Sequence, residues 1–145
     1  VTSATTIIEK LGLSPHPEGG WYRETWRVPA PNGERASATA IHFLLEDGQN
    51  SHWHRVDAAE IWLWHAGNPL ELSLAKSDDG PIETVLLGPD VTGGQVVQHV
   101  IPPHWWQAAR PTEGKAGYAL MSCIVSPGFE FSGFELAAAD WHPGA

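Results

Sequence analysis

Gly48-Gln49-Asn50-Ser51-His52-Trp53-His54-Arg55-Val56-Asp57-Ala58-Ala59-Glu60-Ile61-Trp62-Leu63-Trp64-His65-Ala66-Gly67 is the stretch that decides the fold. Two histidines alternate within it, a glutamate follows, and a glycine closes each end. On a strand, residues two apart share a face, so alternation predicts that His52 and His54 point together while Trp53 points away. Glu60, Trp62 and Trp64 form a second same-face set. Two imidazoles and a carboxylate aimed to one side are what a small β-barrel turns into its interior.

Working outward, alternating or apolar runs predict further strands at 21–26, 37–45, 70–76, 83–88, 95–101, 105–109 and 118–125, besides 50–55 and 60–66 in the quoted stretch. Turn signals such as Asp47-Gly48, Asp79-Gly80-Pro81 and Gly93-Gly94 separate them. A short helix is expected over residues 3–13, capped by Ser3 or Thr5 and stopped by Gly12, with Ile7, Ile8 and Leu11 on one face. The segment Ser14-Pro15-His16-Pro17-Glu18-Gly19-Gly20 then reads as a loop feeding a strand. Nothing between strands is long enough for a crossover helix, which excludes a parallel α/β sheet and leaves an all-β jelly roll. At 145 residues the chain is expected to form one domain, 1–145, with a core at roughly 14–140.

Composition narrows the partners. The net charge of −9, with only eight lysines and arginines, leaves too few cations to neutralise a phosphate backbone, so nucleic acid is not expected. No apolar run reaches the length of a bilayer span, and no basic-then-apolar leader is visible, so a cytoplasmic protein without a membrane partner is expected. Cys123 is the single cysteine and lies in the apolar run 118–125. That excludes an internal disulfide and reads as a buried structural thiol.

The candidate site follows from the same-face sets. His52, His54 and Glu60 would suit one divalent ion of the zinc, iron, manganese or nickel kind, with Gln107 as a weaker fourth donor. The other reading of these residues is a hydrogen-bonded polar cluster at the barrel mouth. Gln107 follows the bend Pro102-Pro103-His104, which brings its strand toward the first motif. His54 and Glu60 are the candidate proton-transfer pair. Candidate substrate contacts are Arg23, His42, Trp62, Gln98, Trp105 and Tyr118: the aromatics as pocket wall, Arg23 (or Arg55) as a fork for an anionic group, and His42 as a base if its face is the inner one. The other histidines, His16, His65, His99, His104 and His142, read mostly as surface or satisfied side chains.

These residues resemble those of the cupins, small jelly-roll barrels whose first motif is a glycine, an HxH pair, a glutamate and a closing glycine. Gly48, His52, His54, Glu60 and Gly67 fill those roles, with a shorter first gap (three residues) and a longer second one (five) than the common pattern. The second cupin motif, PxGxxH, is similar to Pro102, His104 and Gln107, with both its glycine and its metal-binding histidine replaced. Three further blocks are similar to a cupin group of unknown function: a PHPEGG-aromatic-x-RET opening (Pro15 to Thr25), an HRxDxxE(I/L)W core (His54 to Trp62) and a PGF-acidic-F-x-x-FEL ending (Pro127 to Leu136).

The resemblance implies a barrel like that of the dTDP-sugar epimerases, usually a homodimer whose subunits extend each other's sheets, and no organic cofactor. It does not select a reaction. The expected function is binding of a small polar or anionic metabolite in the barrel, with epimerase- or isomerase-like acid–base chemistry. A metal-dependent oxygenase and a non-catalytic, sugar-like ligand binder are the alternatives.

Overall fold

The computed structural model describes residues 2–145. Helix α1 (Ala4–Leu11) begins at Ser3, whose hydroxyl accepts from the Thr6 amide, and ends at Gly12 in the left-handed conformation. Its apolar face, Ile7, Ile8 and Leu11, packs with Leu13, Leu44 and Tyr118.

The strands that follow are β1 (Ser14–Pro15), β2 (Trp21–Arg27), β3 (Thr39–Glu46), β4 (Ser51–Val56), β5 (Ala59–Gly67), β6 (Leu70–Ala75), β7 (Glu83–Leu87), β8 (Gln98–Ile101), β9 (Trp106–Pro111), β10 (Tyr118–Ser126) and β11 (Phe134–Leu136). They form a six-stranded sheet, β1-β2-β3-β10-β5-β8, facing a five-stranded one, β11-β4-β9-β6-β7. This is the expected all-β jelly roll with one short helix. Strands β1 and β11 are too short to announce themselves by alternation. The strand expected over 95–101 shortens to β8, because Val96 makes only an isolated bridge to Leu87.

The two sheets pack their inner faces together at one end of the barrel. Phe43, Leu45, Trp62 and Met121 from the first meet Leu70, Leu72, Leu74 and Leu87 from the second, all buried. Burying each such side chain stabilises the fold by about 1.5–3 kcal/mol. Further along the same strands the filling stops. Buried polar side chains, Glu18, Ser51, His54, Glu60 and Gln107, take over.

Candidate functional site

Antiparallel register lays two inner rows across the six-stranded sheet. One runs Glu60, Val125, Thr39, Arg27; the next runs Trp62, Cys123, Ile41, Glu24. Apart from Trp62, these side chains line a cavity of about 350 Å³, which His54 and Val56 of β4 close from the opposite sheet. Phe129 and Phe131, from the turn that leads into β11, and Phe134, the first residue of β11, supply an aromatic wall. The volume suits a small metabolite.

The loop between β1 and β2 delivers two more side chains, His16 and Glu18. It is held by backbone: the His52 amide donates to the Glu18 carbonyl at 2.8 Å. Gly19, at φ +111°, lies so close to the Asn50 carbonyl that a β-carbon there would overlap it. Only glycine fits that approach. The result carries the Glu18 carboxylate to 2.7 Å from Nε2 of His54, with both side chains buried.

The protonation of this pair follows from its hydrogen bonds. Nδ1 of His54 lies 2.7 Å from the His52 carbonyl oxygen, which can only accept, so Nδ1 carries a proton. At 2.7 Å, Nε2 of His54 and Oε2 of Glu18 cannot face each other as two bare acceptors. A second proton must therefore lie between Nε2 and Oε2. Burial alone would lower the His54 pKa, but the charge and hydrogen bond of Glu18 outweigh it and raise it. Burial likewise pushes Glu18 up, and His54 outweighs this to hold it below the usual carboxylate range. The stable form is an imidazolium–carboxylate ion pair.

Glu60 differs. Its Oε1 accepts from the Gln107 amide at 2.9 Å, and the Gln107 oxygen accepts from the Trp62 indole at 2.9 Å. No cation among the described residues lies within salt-bridge distance of it. Burial pushes its carboxyl up to about 7, with His54 pulling it down and Glu18 pushing it further up. Burial and the nearby carboxylates also push the Cys123 thiol well up, so it stays neutral.

A family described as the cupin superfamily (DUF985) matches residues 5–137. The chain belongs to the cupin superfamily. Among solved cupin-like structures, a hypothetical protein from Leishmania major is 35% identical, covering 94% of this chain and 88% of its own, with a TM-score of 0.84. A protein from Shewanella oneidensis is 36% identical, covering 95% of this chain and 86% of its own, with a TM-score of 0.87. The oxalate decarboxylase of Bacillus subtilis, a protein with Mn(II) centres, is 15% identical at a TM-score of 0.61, the match covering 86% of this chain and 30% of that one, a likeness of fold alone. No curated protein matches the chain.

Many cupins hold a divalent metal, and the donors of this one do not fit that role. Among the described residues, no three His, Cys, Asp or Glu side chains are grouped to hold an ion. The expected set His52, His54, Glu60 and Gln107 is not assembled. A register shift between Ser51 and His54 breaks the alternation of β4, and His52 turns outward to the Ala138 carbonyl, 2.8 Å from its Nε2. Both ring nitrogens of His54 are engaged, and the Gln107 oxygen is held by Trp62. His104 stands at φ +69°, the left-handed position that the glycine of the second cupin motif would occupy.

The cupin cavity gathers His54 and Glu60 and none of the six expected substrate contacts. Arg23 lies on the outer face of the six-stranded sheet, bonded to the Leu11 carbonyl. His42 is its register partner on that face, where burial, His65 and Arg23 lower its pKa. Gln98 is exposed on β8. Trp62 is core and reaches the site only through Gln107, Trp105 packs at the edge of the core, and Tyr118 lies under α1. Arg55, the other anion candidate, sits over the Trp106 ring and pairs with Glu135. The residues that alternation could not find are His16, Glu18, Tyr22 and the three phenylalanines. Their signal was block membership, since they lie in the opening and closing motifs, not periodicity.

Proposed function

We propose that this cupin is an enzyme that moves a proton on a small polar metabolite held in the barrel, in the manner of an epimerase or isomerase. The observation that carries this reading is Glu60, a buried carboxyl on the cavity wall with no counter-ion and a pKa of about 7. A carboxyl titrating near neutral pH takes a proton and returns it with little cost in either direction. The imidazolium of His54 contributes positive charge on the opposite wall, where it stabilises negative charge developing on the substrate. Glu18 keeps it charged.

The test is solvent deuterium incorporation. Incubated in heavy water with fractionated metabolites, the protein is expected to label one compound, detected by mass spectrometry. Glu60→Gln should slow that labelling roughly 10³-fold, the scale of lost acid–base catalysis. Saturable binding with no labelling in any fraction would instead identify a ligand-binding protein.

A cytoplasmic homodimer is part of the same proposal. The outer face of the six-stranded sheet carries an unbroken small and apolar row, Trp26, Ala40, Ile124, Ile61 and Val100, each residue paired with the next. Its two ends, Trp26 and Val100, are more than half exposed, at 53% and 52%. A row of this kind suits a partner subunit. Sedimentation should give a dimer for the natural chain and a monomer for Trp26→Lys combined with Val100→Lys; an unchanged dimer would place the interface elsewhere. No helix among the described residues is long and apolar enough to cross a membrane.

A further inference from the structure

One carboxylate of the cavity lining has no cation in contact. Glu18 is met by His54 at 2.7 Å and Glu24 by Arg27 at 2.7 Å, while Glu130 lies 3.4 Å from Arg35, a guanidinium it shares with Asp57. All four carboxylates of the lining are thus matched except Glu60, whose partners are the neutral Gln107 amide and Cys123 thiol. A buried carboxyl of the lining is thus left with no cation in contact.

The wall formed by the two outer motifs is aromatic. His16 stands edge-on to Tyr22 with centroids 4.4 Å apart, and Phe131 and Phe134 lie 5.9 Å apart beside them. His16 presents a neutral ring, since its Nδ1 accepts from the Glu18 amide and burial lowers its pKa. Phe131 is 53% exposed, a large apolar side chain left open at the cavity. Aromatic faces carry negative potential, and organic cations are held by such faces with a carboxylate nearby. The one guanidinium on the lining, Arg27, is already engaged by Glu24 and the Phe129 carbonyl. An anionic ligand would find no free fork there.

We propose that the cavity binds its metabolite through an organic ammonium group, seated between the Glu60 carboxylate and the aromatic wall of Tyr22, Phe131 and Phe134. This rests on the reading of the barrel as a proton-transfer site, and it names the ligand class of that site as a small amine. The ammonium gives Glu60 the cation it lacks and, by favouring the carboxylate, sets it as the base that takes the substrate proton.

The test is calorimetric titration of the full chain with four probes: choline, n-butylammonium, the neutral isostere of choline in which tert-butyl replaces trimethylammonium, and the tert-butyl carboxylate of the same length. At least one cation should bind ten times or more tighter than the neutral isostere, with the carboxylate weakest. Glu60→Gln should erase most of that preference, and Phe131→Ala should reduce it several-fold. Equal affinity for cation and isostere, tighter binding of the carboxylate, full preference in Glu60→Gln, or no binding of either cation at millimolar concentration would each overturn the proposal. Deuterium labelling of a neutral or anionic metabolite would overturn it while leaving proton transfer standing. Cation selectivity without labelling of any compound would do the reverse.

Discussion

Glu60 and Trp62 lie two residues apart on β5, on the same inner face, and they end in opposite surroundings. Trp62 is 1% exposed and stacks edge-on against Phe43 at 5.7 Å, inside the leucine-filled end of the barrel. Glu60 faces the cavity. Strand geometry sets the direction of both side chains, and the neighbouring elements decide what each meets: β6 and β7 bring leucines against one, while the loop at residues 16–20 and the turn before β11 bring charge and aromatic rings around the other. One sheet thus builds a plug and a pocket within two residues. The Gln107 amide couples them, bonded to both side chains.

The largest expected effect breaks the plug. Trp62→Ala should cost about 3–5 kcal/mol, from lost burial and the void left behind, and should free the Gln107 oxygen. Urea unfolding measures it, and a loss below about 1 kcal/mol would mean that this end of the barrel is not tightly filled.

Next comes the pocket's ion pair. Glu18→Ala leaves the His54 imidazole buried without its carboxylate, which should destabilise the fold by roughly 3 kcal/mol. It should also return His54 to a neutral ring at pH 7, because the charge that outweighed burial is gone. Histidine C–H chemical shifts followed against pH would report this directly. An unchanged His54 titration would mean that Glu18 does not set its charge.

The smallest effect has the opposite sign. In the unfolded chain Glu60 releases its proton near 4.5, whereas in the fold it holds the proton up to about 7. Between those values the native state binds the extra proton, so stability falls as pH rises, and the penalty is complete above about 7. Glu60→Gln removes that penalty while keeping an oxygen for the Gln107 amide. It should stabilise the fold by about 2 kcal/mol at pH 8 and change little at pH 4. Thermal melts across that range would show a flattened pH dependence, and equal destabilisation at both ends would contradict it.

The strands, the barrel and the inward direction of His54 and Glu60 were legible because they depend on short-range periodicity. His52 was not, since one register shift in β4 is enough to turn it outward and leaves no mark on composition. Glu18 was hidden for another reason. It belongs to a loop, and its place is set by an amide of β4 and a glycine pressed against Asn50, contacts more than thirty residues away along the chain. The three phenylalanines of the aromatic wall lie on and beside a 3-10 turn, where no two-residue alternation tells which way a ring points. Motif blocks marked both regions as special without saying that they meet.

The short bond between His54 and Glu18 has a consequence for how the cavity reads acidity. A proton moving between nitrogen and oxygen alters the dipole of the pair and leaves its net charge at zero. Transfer within the pair therefore shifts a dipole and no net charge, whereas Glu60, with its pKa of about 7, gains or loses a whole charge near neutrality. A rate governed by Glu60 alone would follow a single sigmoid with pH in place of a bell, reporting one ionisation.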